Sequence, residues 1–207
     1  MSLRPLVVLP DPRLSQRSEE MGDCDFSGLS DLVRDMFDTM YEASGIGLAG
    51  VQIGVMKRIF VMDTDAVLSN SSSKSERTSV LEKYRKAAEN TGDSANDVSR
   101  DYEDHCGPTV VINPEIVETS GRCVLMEEGC LSIPGQSEMV SRPELVVLSY
   151  LDKDLNKCTM RAKGLLSRCI QHELDHLNGI VFINRLSKLK RDLVLAQYRK
   201  SAVSRGA

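Results

Sequence analysis

The chain has 207 residues, 41% hydrophobic and 27% charged, which suits one domain with a real core and gives only weak grounds for two. Its net charge of −4 argues against a nucleic-acid binder, which needs a basic surface to meet phosphates. Cys24, Cys106, Cys123, Cys130, Cys158 and Cys169 are irregularly spaced behind no apolar leader, so they read as free thiols in a reducing compartment rather than a disulfide frame.

The opening "MSLRPLVVLPDPRLSQRSEE" is too short in its apolar part for a secretion signal, and its acids are wrong for a transit segment. No apolar run approaches membrane-spanning length, so a soluble, cytoplasmic protein is expected. Leu29, Leu32, Val33, Met36, Phe37, Met40 and Tyr41 recur at steps of three and four, predicting a helix packed on a core. The run stops at "GIGLAGVQIG", where four glycines in ten residues rule out a comfortable helix or a regular strand. "KRIFVMD", "TVVINPEIV" and "LVVLSYLD" are apolar, β-branched runs that read as strands. Residues 66–107 are rich in Ser, Asn and charge and read as a polar surface insertion within a single domain spanning 1–207, with one short helix at Val80–Ala88. His105 and Cys106, at its end, are poorly placed to fix a metal. Helices follow from Leu165 and from Leu186, the second with Lys and Arg on a solvated face. Strands between a first and a last helical block, without βαβ alternation, give an α+β class.

The chemistry concentrates in "QHELDHLNG", residues 171–179. On a helix, His172 and His176 share a face about 6 Å apart and can reach one divalent ion, with Glu173 beside them. The third ligand must come from the cysteines or carboxylates. Cys130 in "EEGCLSIPG" is one candidate, since a thiolate near a cation is a good ligand and Gly129 lets the backbone come close. Two other arrangements stay open. A zinc protease would take its third ligand downstream, where the tail offers only Asp192. A closed structural site would add Cys169, one turn before His172, to Cys130, His172 and His176; such a site has no need of Glu173 or of Gln52 in its glycine-rich frame.

Taken in order, "GIGLAGVQIG", "EEGCLSIPG" and "QHELDH" closely resemble the three motifs of peptide deformylases, which remove the formyl group from the N-terminal methionine of new polypeptides. The likeness extends to "LPDPRL", "INPEI" and "HLNGIVFINRLS", and so covers most of the chain outside 66–107. It implies antiparallel sheets wrapped around a central helix that carries both histidines, with a helix at the C-terminus. It also implies Cys130, His172 and His176 as metal ligands and Glu173 as the acid/base. Gln52 and the backbone N–H of Leu131 would face the substrate carbonyl, and Ile46 and Gly47 would line the substrate channel.

The resemblance further implies ferrous iron, with zinc, nickel or cobalt able to take its place. N-formyl-methionyl peptides are the implied substrate, nascent chains at the ribosome their source, and a bacterial cytoplasm the setting. No nucleic-acid or membrane partner is expected. Three protein ligands leave a coordination position open, which marks a catalytic site. The glycines let a peptide approach the backbone as an added strand, although Gly50 and Gly54 serve equally well as turn formers. Ile46, Leu125 and the helix before His172 are expected to form the methionine pocket, and Asp175 to lie behind the site or on the surface. Ser44, Gly50 and Ser137 depart from the usual pattern, which touches the channel rather than the reaction.

Overall fold

The computed structural model describes residues 3–65, 99–101 and 105–205. Its first long helix, α1 (Leu29–Glu42), follows the spacing of three and four, burying Val33, Met36, Phe37 and Met40. The glycine-rich stretch then makes a short strand, β1 (Gly47–Ala49), and one tight turn over Gly50–Ile53. The strands that follow are β2 (Ile59–Met62), β3 (Ser99–Asp101), β4 (Thr109–Thr119), β5 (Cys123–Gly129), β6 (Ser137–Pro143), β7 (Leu145–Leu151) and β8 (Lys157–Lys163). Two helices, α2 (Gly164–Leu177) and α3 (Lys188–Arg205), complete the chain, so the α+β class and the C-terminal helix are as expected.

One sheet has the order β1-β2-β4-β7-β8-β3, antiparallel throughout except for β3 along β8. The other is the hairpin β5-β6, in register from Cys123 opposite Pro143 to Gly129 opposite Ser137. β4 is kinked where Asn113 takes a left-handed φ of 48° ahead of Pro114, which has no N–H to give the ladder. The Asn113 side chain is put to use there: its amide clasps the backbone N–H and carbonyl of Met21 at 2.8 and 2.9 Å, tying the N-terminal segment to the sheet.

Within the stretch read as an insertion, Ser99–Asp101 pairs with β8, and Cys106 is buried and exchanges hydrogen bonds with Thr64. The helix expected at Val80–Ala88 lies outside the described residues. All six cysteines are free, as their spacing suggested. No helix among the described residues is long and apolar enough to cross a membrane.

α2 lies between the two sheets, packed against β1, β2, β6, β7 and β8. Leu166, Cys169, Ile170 and Leu177 face the main core, and His176 is fully buried with them. Its end is set by Gly179, whose φ of +73° lets its own N–H reach the His176 carbonyl (3.1 Å) and the Ile180 N–H reach that of Asp175 (2.9 Å). A side chain at Gly179 would also strike the Ser15 backbone at 2.8 Å. The buried Arg58 guanidinium meets the same helix end, donating to the Leu177 carbonyl (3.4 Å) and to Asn178 (3.0 Å). The turn that carries His176 is thereby fixed from two sides.

Candidate active site

Helix spacing brings His172 and His176 together, their rings 5.0 Å apart, and the end of β5 delivers Cys130 to them. One ligand atom from each of Cys130, His172 and His176 lies within 4.8 Å of the others. The Cys130 Sγ is 3.1 Å from His176 Nε2. Burial opposes ionisation of this thiol, but the facing His176 and His172 imidazoles overcome it and hold the thiol well below its usual range. A thiolate with two imidazoles is a donor set that suits a first-row divalent ion.

Cys169 stands outside this group. Its thiol faces the Ile46 carbonyl at 3.6 Å, and burial pushes it well above the ordinary range, so it has little thiolate to offer a metal. The three donors include nothing downstream of His176, so Asp192 supplies no ligand here, and His105 sits apart against Asp65 at 2.9 Å. Neither rival arrangement is assembled among the described residues.

Behind His172 stands a buried charge network. Glu128, one residue before Gly129, is 5% exposed and accepts from Arg142 at 2.6 and 2.9 Å, from Arg168 at 2.7 Å and from His172 Nδ1 at 3.0 Å. Burial alone would raise the Glu128 pKa, but Arg142 and His172 hold it well below the usual range. An ionised carboxylate only accepts, so the His172 proton is on Nδ1 and Nε2 is left for a metal. Arg142 also reaches Asp175 at 2.7 Å, which places Asp175 behind the site rather than on the surface. On the other side the ring stacks on buried Phe182, centroids 6.4 Å apart.

Glu173 is buried, which raises its pKa against the pull of the two histidines. Its Oε2 and the His176 Nδ1 have no hydrogen-bond partner among the described residues, which leaves the carboxyl available for proton traffic. Gly47 is where it is because nothing larger fits. A Cβ there would overlap the Glu173 carboxyl, 2.8 Å from its carbon, and lie 2.9 Å from Cys169 Sγ. Gln52 is held by the Ala49 N–H, which donates to its Oε1 at 2.8 Å. That bond turns the amide NH2 toward the site, 3.2 Å from Ser132 Oγ and 3.7 Å from Cys130 Sγ.

These groups open on a cavity of about 710 Å³ whose wall includes Ile46, Gly47, Gln52, Leu131, Leu165 and Glu173. Leu125, expected in the methionine pocket, is a correction: it is 61% exposed and outside this wall. Strand alternation explains it, because Met126 and Glu128 take the inward positions of β5 and leave Leu125 facing out. The sequence reading missed Glu128, Arg142, Arg168 and Ser132. A signal existed for Glu128, since it lies two residues from Cys130 and therefore on the same face of an extended chain.

A family model described as polypeptide deformylase matches residues 3–192 of the chain. Over 200 residues the chain is 43% identical to the peptide deformylase of Wolbachia pipientis wMel, covering 97% of this chain and 96% of that one. Among solved structures it is similar to peptide deformylase from Ehrlichia chaffeensis, with TM-score 0.75 and 40% identity over 97% of each chain. The same organism's peptide deformylase in complex with actinonin superposes with TM-score 0.72 and 39% identity, covering 97% of this chain and 98% of that one.

Proposed function

The chain belongs to the peptide deformylase family, and from that membership we propose the roles of its residues. It is a metal-dependent hydrolase that takes the N-formyl group off the N-terminal methionine of new polypeptides and releases formate. In our reading Cys130, His172 and His176 hold the ion, Glu173 moves the proton, and Gln52 with the Leu131 N–H receives the formyl oxygen. One observation carries this assignment: the convergent donors of Cys130, His172 and His176 stand at a cavity lined by Cys130, His172 and the buried Glu173, whose Oε2 has no hydrogen-bond partner among the described residues.

When bound, the ion supplies Lewis acidity, making a water easier to deprotonate and drawing charge from the formyl oxygen. Glu173 takes the proton from the attacking water, and its burial, which raises its pKa, favours the form that holds that proton. As the C–N bond breaks, Glu173 returns the proton to the methionine nitrogen, leaving formate and a free amine. The Gln52 amide, fixed by Ala49, donates to the oxygen as negative charge grows there; losing such a donor costs about 3 kcal/mol of transition-state stabilisation. Ile46 and Gly47 form the wall along which the peptide lies, and Leu165 contributes apolar surface for the methionine side chain.

Ferrous iron is our choice of native ion, with zinc, nickel or cobalt as substitutes the same donors accept. Nascent chains leaving the ribosome, in a bacterial cytoplasm, are the proposed source of substrate. The test is formate release from an N-formyl-methionyl peptide by the iron-loaded protein. Turnover is expected from the wild type, and Glu173→Gln is expected to keep the ion and lose turnover. An iron-loaded wild type that releases no formate overturns the reading.

A further inference from the structure

One side of the cavity wall is continuous chain: Ala43, Ser44, Gly45, Ile46 and Gly47 line it one after another. The two ends of this stretch are held differently. From Gly47 onward β1 is laddered to β2, with Gly47 opposite Met62, Leu48 opposite Val61 and Ala49 opposite Phe60. Ahead of Gly47 the chain turns, and Ser44 takes a left-handed φ of 58°, which a residue with a Cβ rarely adopts unaided. No strand lies along the outer side of β1 among the described residues. The turn at this edge therefore needs a hold from behind.

Tyr41, in the last turn of α1, supplies it. Its carbonyl accepts from the Ser44 N–H at 3.0 Å. Its phenol O–H donates to Asp63 Oδ2 at 2.5 Å, and the Asp63 backbone N–H donates to the Ile46 carbonyl at 2.9 Å. A closed ring of contacts thus runs from Tyr41 through Ser44, Ile46 and Asp63 back to Tyr41. Both side chains are out of water, Tyr41 8% and Asp63 1% exposed, so solvent does not compete for the bond between them. The Tyr41 ring is itself stacked on buried Phe37, centroids 5.9 Å apart. The Met40 carbonyl, which takes the Gly45 N–H at 2.9 Å, and the Cys169 thiol, 3.6 Å from the Ile46 carbonyl, add to the hold without joining α1 to the end of β2.

We infer that Tyr41 and Asp63 are positioning residues for peptide binding: their buried hydrogen bond holds residues 43–46 in the shape against which the substrate main chain lies beyond its methionine. Neither lines the cavity, and both act through Ser44 and Ile46. Without the bond, the ladder from Gly47 onward still stands, and with it the close approach of Gly47 to Glu173. The loss therefore falls on the binding of peptides long enough to reach the wall, and the chemical step is spared. This inference rests on the deformylase reading of the site.

The experiment uses the iron-loaded full chain and two substrates: formyl-methionine amide, which ends at its methionine, and formyl-Met-Ala-Ser amide, which runs on along the wall. Tyr41→Phe keeps the ring and its stack and removes the hydroxyl. For the longer peptide it is expected to raise KM about 3- to 10-fold with kcat within about twofold, and for the short one to leave kcat/KM within about twofold. Asp63→Asn keeps a hydrogen-bonding partner for the phenol, so it is expected to preserve the wild-type ratio of the two substrates. If Tyr41→Phe yields no folded protein, Asp63→Ala removes the same bond and carries the same expectation. Equal loss on both substrates, as a purely structural role would give, overturns the inference. So does a Tyr41→Phe enzyme indistinguishable from wild type, or an Asp63→Asn enzyme that loses as much as Tyr41→Phe. A wild type that releases formate from neither substrate counts against the deformylase reading instead.

Discussion

Glu128 Oε2 lies 3.0 Å from His172 Nδ1, and the carboxylate that makes this contact is itself clamped by two buried arginines. The ring of a proposed metal ligand is thereby oriented by a charge that the hairpin and α2 hold jointly. Glu128→Gln keeps the shape and removes the charge. It is expected to weaken metal binding about 10- to 100-fold, read by competition against a chelator. It also leaves Arg142 and Arg168 short of a counter-ion, at a stability cost of about 3 kcal/mol or more in denaturant unfolding. A variant that holds the ion as tightly as the wild type would show that this contact does not orient the ligand.

Gly47 faces Glu173 so closely that even one methyl group has no place. In Gly47→Ala the Glu173 carboxyl has to swing away from its position beside the donors. A displacement of about 1 Å at a reacting group costs on the order of 100-fold in rate. Formate release is expected to fall by about that factor while metal content, measured by atomic absorption, stays at the wild-type level. Equal loss of metal and activity would place the effect on the ligands instead.

The parts of this site that sequence reveals are those with local spacing. His172, Glu173 and His176 are legible because a helix repeats every 3.6 residues and all three fall within five positions. α1 is legible for the same reason, its buried residues recurring at three and four. Cys130 needed the family likeness, because its local mark, the glycine before it, is too weak by itself to choose one cysteine among six. The charge network was hidden for a physical reason. Glu128 meets Arg142, Arg168 and His172 across 14, 40 and 44 positions of chain. In sequence each looks like an ordinary surface charge, and only the packing of α2 against the hairpin shows otherwise. β8 escaped because "KCTMRAK" carries three cations, and β1 because two of the strand's neighbours and its own first residue are glycines.

Gly179 closes the helix that carries both histidines, and two constraints coincide on it: a φ of +73° and the Ser15 backbone 2.8 Å from any added Cβ. Gly179→Ala is expected to cost about 2 kcal/mol or more. For a chain of this size that lowers Tm by roughly 4 to 8 °C in a calorimetric scan. Because His176 is in the last turn, metal affinity is expected to fall with it. A variant with unchanged Tm would mean that the helix end relaxes without loss.

Burial raises the Glu173 pKa, and this gives the metal-free protein a particular pH dependence. A carboxyl with a higher pKa in the fold than in the unfolded chain binds its proton more tightly when folded. The fold therefore has the full benefit of that proton below the ordinary carboxyl value and loses it as pH rises through the raised value. Glu173→Gln carries a permanent neutral stand-in for the protonated acid. Compared with wild type, the metal-free variant is expected to gain stability as pH rises from 4 toward 8. The difference between the two proteins reports Glu173 together with its coupling to His172, His176 and Cys130. If the two Tm curves run parallel across that range, Glu173 is not held as the acid by its burial, and the proton-carrying role proposed for it loses its electrostatic basis.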